Sequence, residues 1–72
     1  MFKVTATAAN GNAIALTVPT QHEAKSRADQ LRIGGVEPTV WFISRRRIQG
    51  QMVEFPTRMA WSDHLGRYVS IV

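Results

Sequence analysis

The sequence predicts an α+β domain with elements in the order ββαβββ, one helix packed on one face of a four- or five-stranded, mainly antiparallel sheet. Three observations carry this. Apolar and polar residues alternate with period two in several short stretches, as half-buried strands require. Only one stretch, around residues 21–33, has apolar residues at helical spacing. The 72 residues contain no internal repeat, no linker and no low-complexity segment, so residues 1–72 form a single domain.

The first two strands lie in "FKVTATAANGNAIALTV". Phe2, Val4, Ala6 and Ala8 alternate with Lys3, Thr5 and Thr7, and Ile14, Leu16 and Val18 alternate with Ala13, Ala15 and Thr17. Asn10-Gly11 between them predicts a type I′ hairpin turn, which needs positive φ at both central residues.

"PTQHEAKSRADQLRIGG" is the helix, expected over Gln21–Ile33. Thr20 and Glu23 have the spacing of a capping box, in which hydroxyl and carboxylate each satisfy a free backbone donor. Ala24, Ala28 and Leu31 share one face. This stripe is small, so the helix backbone can lie close to a sheet. Gly34 is expected in the left-handed conformation after the last turn, with Gly35 loosening the exit.

"EPTVWFISRRRI" is the third strand, apolar on both faces from Val40 to Ile43 and therefore central. In "QMVEFPTRMAW", Val53, Phe55, Met59 and Trp61 share one parity, and Glu54, Arg58 and Ser62 take the other. Pro56 cannot donate to a ladder, so this fourth strand is expected to bulge or lie at an edge there. "SDHLG" is a turn. "RYVSIV" is a last short strand, with Val69 and Ile71 on one face.

Composition narrows the function. Apolar residues make up 44% and charged residues 19%, the balance of a folded globular chain. A domain of this length buries only about 60% of its unfolded surface, so a good pattern matters. The absence of cysteine excludes a disulfide scaffold and thiolate zinc sites, and fits a reducing compartment. The apolar runs are too short to span a bilayer, and "MFKVTATAAN" lacks the apolar core of a signal peptide. A cytoplasmic protein with no membrane partner is expected. The net charge of +4 points to an anionic partner, nucleic acid or an acidic protein surface.

Little in the sequence favours catalysis. His22 and His64 stand at a helix start and in a turn, without the spacing of metal ligands. Asp63 adjoins His64, but neighbours on a turn seldom face each other. Glu23 and Asp29 are explained by the helix, as a cap and as a partner for Lys25 or Arg32. The glycine pair follows the helix instead of opening it, so it forms no phosphate loop. The expectation is a non-enzymatic protein without cofactor or metal.

The arginines are the more informative feature. If the third strand continues through "SRRRI", Arg45 and Arg47 project with Trp41 and Ile43, and Arg46 projects the other way. With Val40 and Phe42 under the helix, Trp41, Arg45 and Arg47 lie on the uncovered face. Arg58 joins them by parity, as do Lys3 and Tyr68 if Phe2 and Val69 face the helix. Arg46 contributes only if the run is a loop. "DHLGRYV", with Trp61, Arg67 and Tyr68, forms a rim. Arginine grips phosphates and carboxylates with two hydrogen bonds. Interleaved aromatics suit either base stacking or a protein–protein hot spot. The plainer account, a solvated strand end beside an ordinary turn, stands next to both.

The order of elements also resembles a known group. A hairpin, a helix of the "EAKSRADQLR" kind, a strand of the "TVWFIS" kind and a closing hairpin "MAWSDHLGRYVSI" are similar to small phage-encoded interaction proteins. These include some anti-CRISPR inhibitors of type I surveillance complexes. Trp61, Arg67 and Tyr68 fall in the matching closing pattern, whereas "RRRIQGQ" departs from the group. The resemblance implies a non-catalytic inhibitor that blocks a bacterial nucleic-acid machine by occupying its nucleic-acid path or a subunit surface. Phage inhibitors of host RNA polymerase are of similar size. The first expectation is therefore a phage or mobile-element product, monomer or weak dimer, that binds such a machine through Trp41, Arg45, Arg46, Arg47, Arg58, Trp61, Arg67 and Tyr68. The alternative is direct binding of single- or double-stranded nucleic acid by the same surface. A third is a structural module that pairs an exposed strand edge with another copy.

Overall fold

The computed structural model describes residues 1–71. Its elements are β1 (Phe2–Thr7), β2 (Ala13–Val18), α1 (Gln21–Ile33), β3 (Thr39–Ile48), β4 (Gln51–Ser62) and β5 (Arg67–Ser70). The five strands form one sheet in the order β2-β1-β3-β4-β5, and every neighbouring pair is antiparallel. The fold is the expected α+β arrangement of one helix on one sheet. The final residue of "RYVSIV", Val72, lies outside the described residues.

The helix ends as its sequence directs, with one exchange of roles. Thr20 Oγ1 accepts the Glu23 N–H at 3.2 Å, and only this half of the capping box forms among the described residues. At the other end the left-handed residue is Gly35, at φ 81°, and not Gly34, which stays at φ −78°. Gly35 N–H then bonds the Arg32 carbonyl and Val36 N–H the Leu31 carbonyl, the pair of bonds that defines a Schellman cap.

Two turns also exchange roles. The expected type I′ turn at Asn10-Gly11 does not form, because only Gly11 has positive φ. Gly11 N–H bonds the Ala8 carbonyl, and Ala8 N–H bonds the Asn12 carbonyl. This is the longer hairpin loop in which a tight turn is followed by a left-handed glycine. Asn10 serves it through its side chain, whose Oδ1 accepts the Asn12 N–H. Positive φ at two consecutive residues occurs instead at Gln49 (51°) and Gly50 (80°), which join β3 to β4.

The core lies between α1 and the β2-β1-β3 side of the sheet. Val4, Val18, Val40, Ala24 and Ala28 are buried, with Phe2, Leu31, Met59 and Trp61 packed around them. Val4 is the largest side chain that is fully buried. The alanine stripe lets the helix approach closely, and hydrophobic burial of this modest set is the main stabilising term. Helix α1 touches β1, β2 and β3, but makes little contact with β4 and β5.

This leaves the β3–β4 hairpin longer than the layer that supports it. β1 pairs with β3 only from Thr39 to Phe42, and β5 pairs with β4 only from Met59 to Ser62. One further bond on each side, Ile43 N–H to the Met1 carbonyl and Ile71 N–H to the Arg58 carbonyl, ends the flanking support. Residues 44–57 therefore form a two-stranded arm, about 15–20 Å long at the usual strand rise. The Cα radius of gyration is 13.3 Å, against about 11 Å for a compact chain of this length. Pro56 belongs to this arm. It is paired to Ile43 on one side, and β5 does not reach its other side, so β4 is locally an edge there and no bulge is needed.

Candidate partner-binding surface

Residues directly opposite in an antiparallel ladder point to the same side of the sheet. The register pairs Trp41 with Lys3 and with Arg58, Ile43 with Pro56, Arg45 with Glu54, and Arg47 with Met52. These side chains share the face that the helix leaves uncovered. Arg67, opposite Ser62, lies on that face too. The third strand does run through the arginines, so Arg46 points to the helix side, where it lies over the Phe55 ring at 5.6 Å.

Two of the expected aromatics are elsewhere. Tyr68 is opposite Trp61, on the helix side, and is buried to 5% exposure. The expectation that Val69 faces the helix and Tyr68 the open side is thus reversed. Because the buried stripe of α1 is alanine and its backbone reaches little of β4 and β5, bulky rings fill the space beside it. Trp61 and Tyr68 pack edge to face at 5.1 Å, and Lys25 Nζ sits 4.9 Å over the Trp61 ring. Trp61 Nε1 donates to Asp63 Oδ1, and Tyr68 N–H donates to Gln21 Oε1. The Tyr68 hydroxyl is buried without a hydrogen-bond partner among the described residues. Burial pushes the Tyr68 phenol pKa up; Arg32 nearby pulls it down and Asp29 pushes it up further.

Trp41 remains on the open face but is half-buried. Its Nε1 donates to Thr5 Oγ1 at 3.0 Å, which fixes the ring against the sheet. It lines a shallow hollow with Lys3, Thr5, Ile43, Glu54 and Pro56. "RIQGQ" lies outside this hollow, as the end of one strand, a two-residue turn and the start of the next.

Charge is distributed unevenly. Residues 21–38 carry three basic and three acidic side chains, and the rest of the chain carries six basic and two acidic. The whole net charge of +4 therefore belongs to the sheet and its turns. The neutral part is neutralised locally: Asp29 pairs with Lys25 at 2.7 Å and Arg32 at 3.5 Å, and Glu37 lies 3.7 Å from Arg32. On the arm, Arg45 approaches Glu54 at 4.0 Å, a loose and exposed pair worth at most a fraction of a kcal/mol.

The arm also exposes apolar residues that the sequence reading did not single out. Ile48 is 45% exposed, Met52 59% and Phe55 40%. The signal was present: a glycine inside alternating strand residues marks a tight hairpin, and a hairpin longer than its neighbours must leave its apolar residues bare. His22 and His64 are both exposed. Among the described residues no group of three His, Cys, Asp or Glu side chains has the geometry to hold a metal, and no helix is long and apolar enough to cross a membrane.

No protein-family model matches this chain. No curated protein and no solved structure matches it either.

Proposed function

We propose that this protein is a non-catalytic binding protein, phage or mobile-element encoded, that inhibits a bacterial nucleic-acid machine by docking its basic arm and open sheet face on an acidic protein surface. The observation that carries the reading is the concentration of the entire net charge in the sheet and its turns, together with exposed apolar residues on both faces of the arm, Met52 with Arg45 and Arg47, and Ile48 and Phe55 with Arg46. Arginine beside bare apolar and aromatic side chains is the composition of a protein–protein hot spot. Solvent-exposed cations steer encounter, and the apolar residues supply area to bury.

The sign of the charge selects the kind of surface. Nucleic-acid paths in such machines are basic, because they neutralise phosphates. A protein with a +4 charge is repelled by such a path, so an acidic subunit surface is the better match. The class of machine, a CRISPR surveillance complex or an RNA polymerase, rests on the resemblance in element order alone.

Direct nucleic-acid binding has one observation in its favour. A two-stranded ribbon fits the major groove of duplex DNA, and this one carries arginines on both faces. Single-strand binding is less supported, since Tyr68 is under the helix side and Trp41 is held by Thr5, leaving neither ring free to stack bases.

Affinity capture from a nuclease-treated bacterial lysate tests the first reading. One stable complex is expected, lost when Arg45→Glu and Arg47→Glu are combined. Capture that survives both reversals would sink the site assignment. Titration with DNA and RNA tests the second: binding that weakens with a log–log salt slope of about 0.7–0.9 per phosphate contacted supports it, and no binding at low salt removes it.

A further inference from the structure

The two edges of the sheet differ in a way that points to a second copy of this chain. β5 is only four residues long, follows directly on a turn and begins with Arg67, so it offers little to pair with. β2 is the opposite case. Its sequence, "AIALTV", has no charge and no proline, the usual devices that protect an edge. No Lys, Arg, Asp or Glu occurs anywhere between Lys3 and Glu23. Leu16 at the middle of this edge is 37% exposed.

The direction of the free backbone groups follows from the hairpin. Ala8 N–H bonds the Asn12 carbonyl, so bonding to β1 alternates from there along the ladder. Ile14, Leu16 and Val18 bond to β1. Ala13, Ala15 and Thr17 turn their N–H and C=O groups outward.

We infer that β2 pairs with β2 of a second copy about a two-fold axis at Ala15, giving one continuous ten-stranded antiparallel sheet (twice the five strands of one chain). Opposed residues in such a ladder must share a face, so the axis has to pass through a residue and not between two. An axis at Ala15 gives all three outward residues an outward partner: Ala15 meets Ala15, and Ala13 meets Thr17. An axis at Leu16 would align Ala15 with Thr17 correctly but leave Ala13 without a partner strand residue. With Ala15 on the axis, Ile14 of each copy lies beside Leu16 of the other on the helix side, and two apolar contacts close. The interface is isologous and uses up the edge. Because β5 is short and charged, the assembly stops at two.

Charge favours this arrangement over any pairing through the arm. The two-fold at β2 sets both arms at the outer ends of the sheet, with like charges far apart. It also leaves both open faces on one side, which doubles the arginine surface available to a partner. The inference does not depend on which partner that is.

Sedimentation velocity and single-cysteine cross-linking test it. Wild-type protein should shift from monomer to dimer as concentration rises through the micromolar range. Ala15→Pro removes only an outward N–H and keeps the β1 bonds; it should raise the dimer dissociation constant at least tenfold, with the circular dichroism of the monomer unchanged. Ala15→Cys in this cysteine-free chain should form a disulfide-linked dimer on mild oxidation. Ala13→Cys should not, since it faces Thr17. A monomer up to millimolar concentration overturns the inference, and equal cross-linking at both positions overturns the register.

Discussion

The near and far halves of the β3–β4 hairpin have the same backbone and opposite surroundings. In the near half, Val40 and Met59 pair beneath the helix, and β1 and β5 flank the ladder. In the far half, Arg45, Arg46, Arg47, Ile48 and Met52 are exposed, and the ladder has no neighbours. One half is held by burial, the other by its turn and its cross-strand pairs. An isolated two-stranded hairpin is marginal in water. The far half is therefore ordered as an extension of the near one, and its side chains are free to serve a partner.

Substitutions can separate the two halves. Val4→Ala, in the layer that supports the near half, should cost about 2 kcal/mol, since it empties the most completely buried large side chain. The check is the urea midpoint. A change below about 0.5 kcal/mol would mean that the layer is not where the stability lies.

Gly50→Ala should cost about 1 kcal/mol. At φ 80° a methyl group meets no neighbouring atom within 4 Å, so the penalty is backbone strain alone. Amide exchange should speed up more in residues 44–57 than in β1. An equal increase in both regions would make the halves one cooperative unit.

Tyr68→Phe should be neutral or stabilising by up to about 1 kcal/mol near neutral pH, because it removes a buried hydroxyl with no partner. Its larger effect is on pH dependence. The phenol pKa is raised in the fold, so folded protein holds the proton more tightly than unfolded chain. Stability is then full below the unfolded tyrosine pKa and falls as pH rises past it. The chain has one tyrosine, so its ultraviolet titration reports this group alone. A normal titration, or an alkaline loss that persists in Tyr68→Phe, contradicts the account.

The smallest effect on stability is expected from the pair Arg45→Glu and Arg47→Glu. The first reversal sets like charge opposite Glu54, so the sum should stay within about 1 kcal/mol. Retained thermal stability with lost partner capture is the outcome that separates the arm's role from the core's.

Much of this was legible from local pattern. The helix occupies Gln21–Ile33 as its capping threonine and glycines direct, and strand parity alone separated Arg46 from Arg45 and Arg47. Two matters were not. Turn type depends on φ, and Asn-Gly is compatible with both short and longer hairpin loops. The strained turn went to Gln49-Gly50, where strand lengths on either side left only two residues to reverse the chain. The side of Tyr68 was misjudged because alternation cannot say which parity faces in when both are apolar or aromatic. The deciding fact is tertiary: an alanine-faced helix whose backbone lies away from β4 and β5 leaves room for rings.

The two-residue turn at Gln49-Gly50 has a consequence for the order of folding. It makes β3 and β4 neighbours in sequence as well as in space, whereas β1 reaches β3 across a separation such as that of Thr5 and Thr39, 34 residues apart. Short loops close at less entropic cost, and an isolated hairpin forms in roughly 1–10 μs. The long hairpin is then available as the template on which β1 and the helix assemble. In stopped-flow refolding, Gly50→Ala should slow folding and leave unfolding nearly unchanged, while a substitution in β2 should do the reverse. The segment that stands furthest from the core would be the one that starts its assembly.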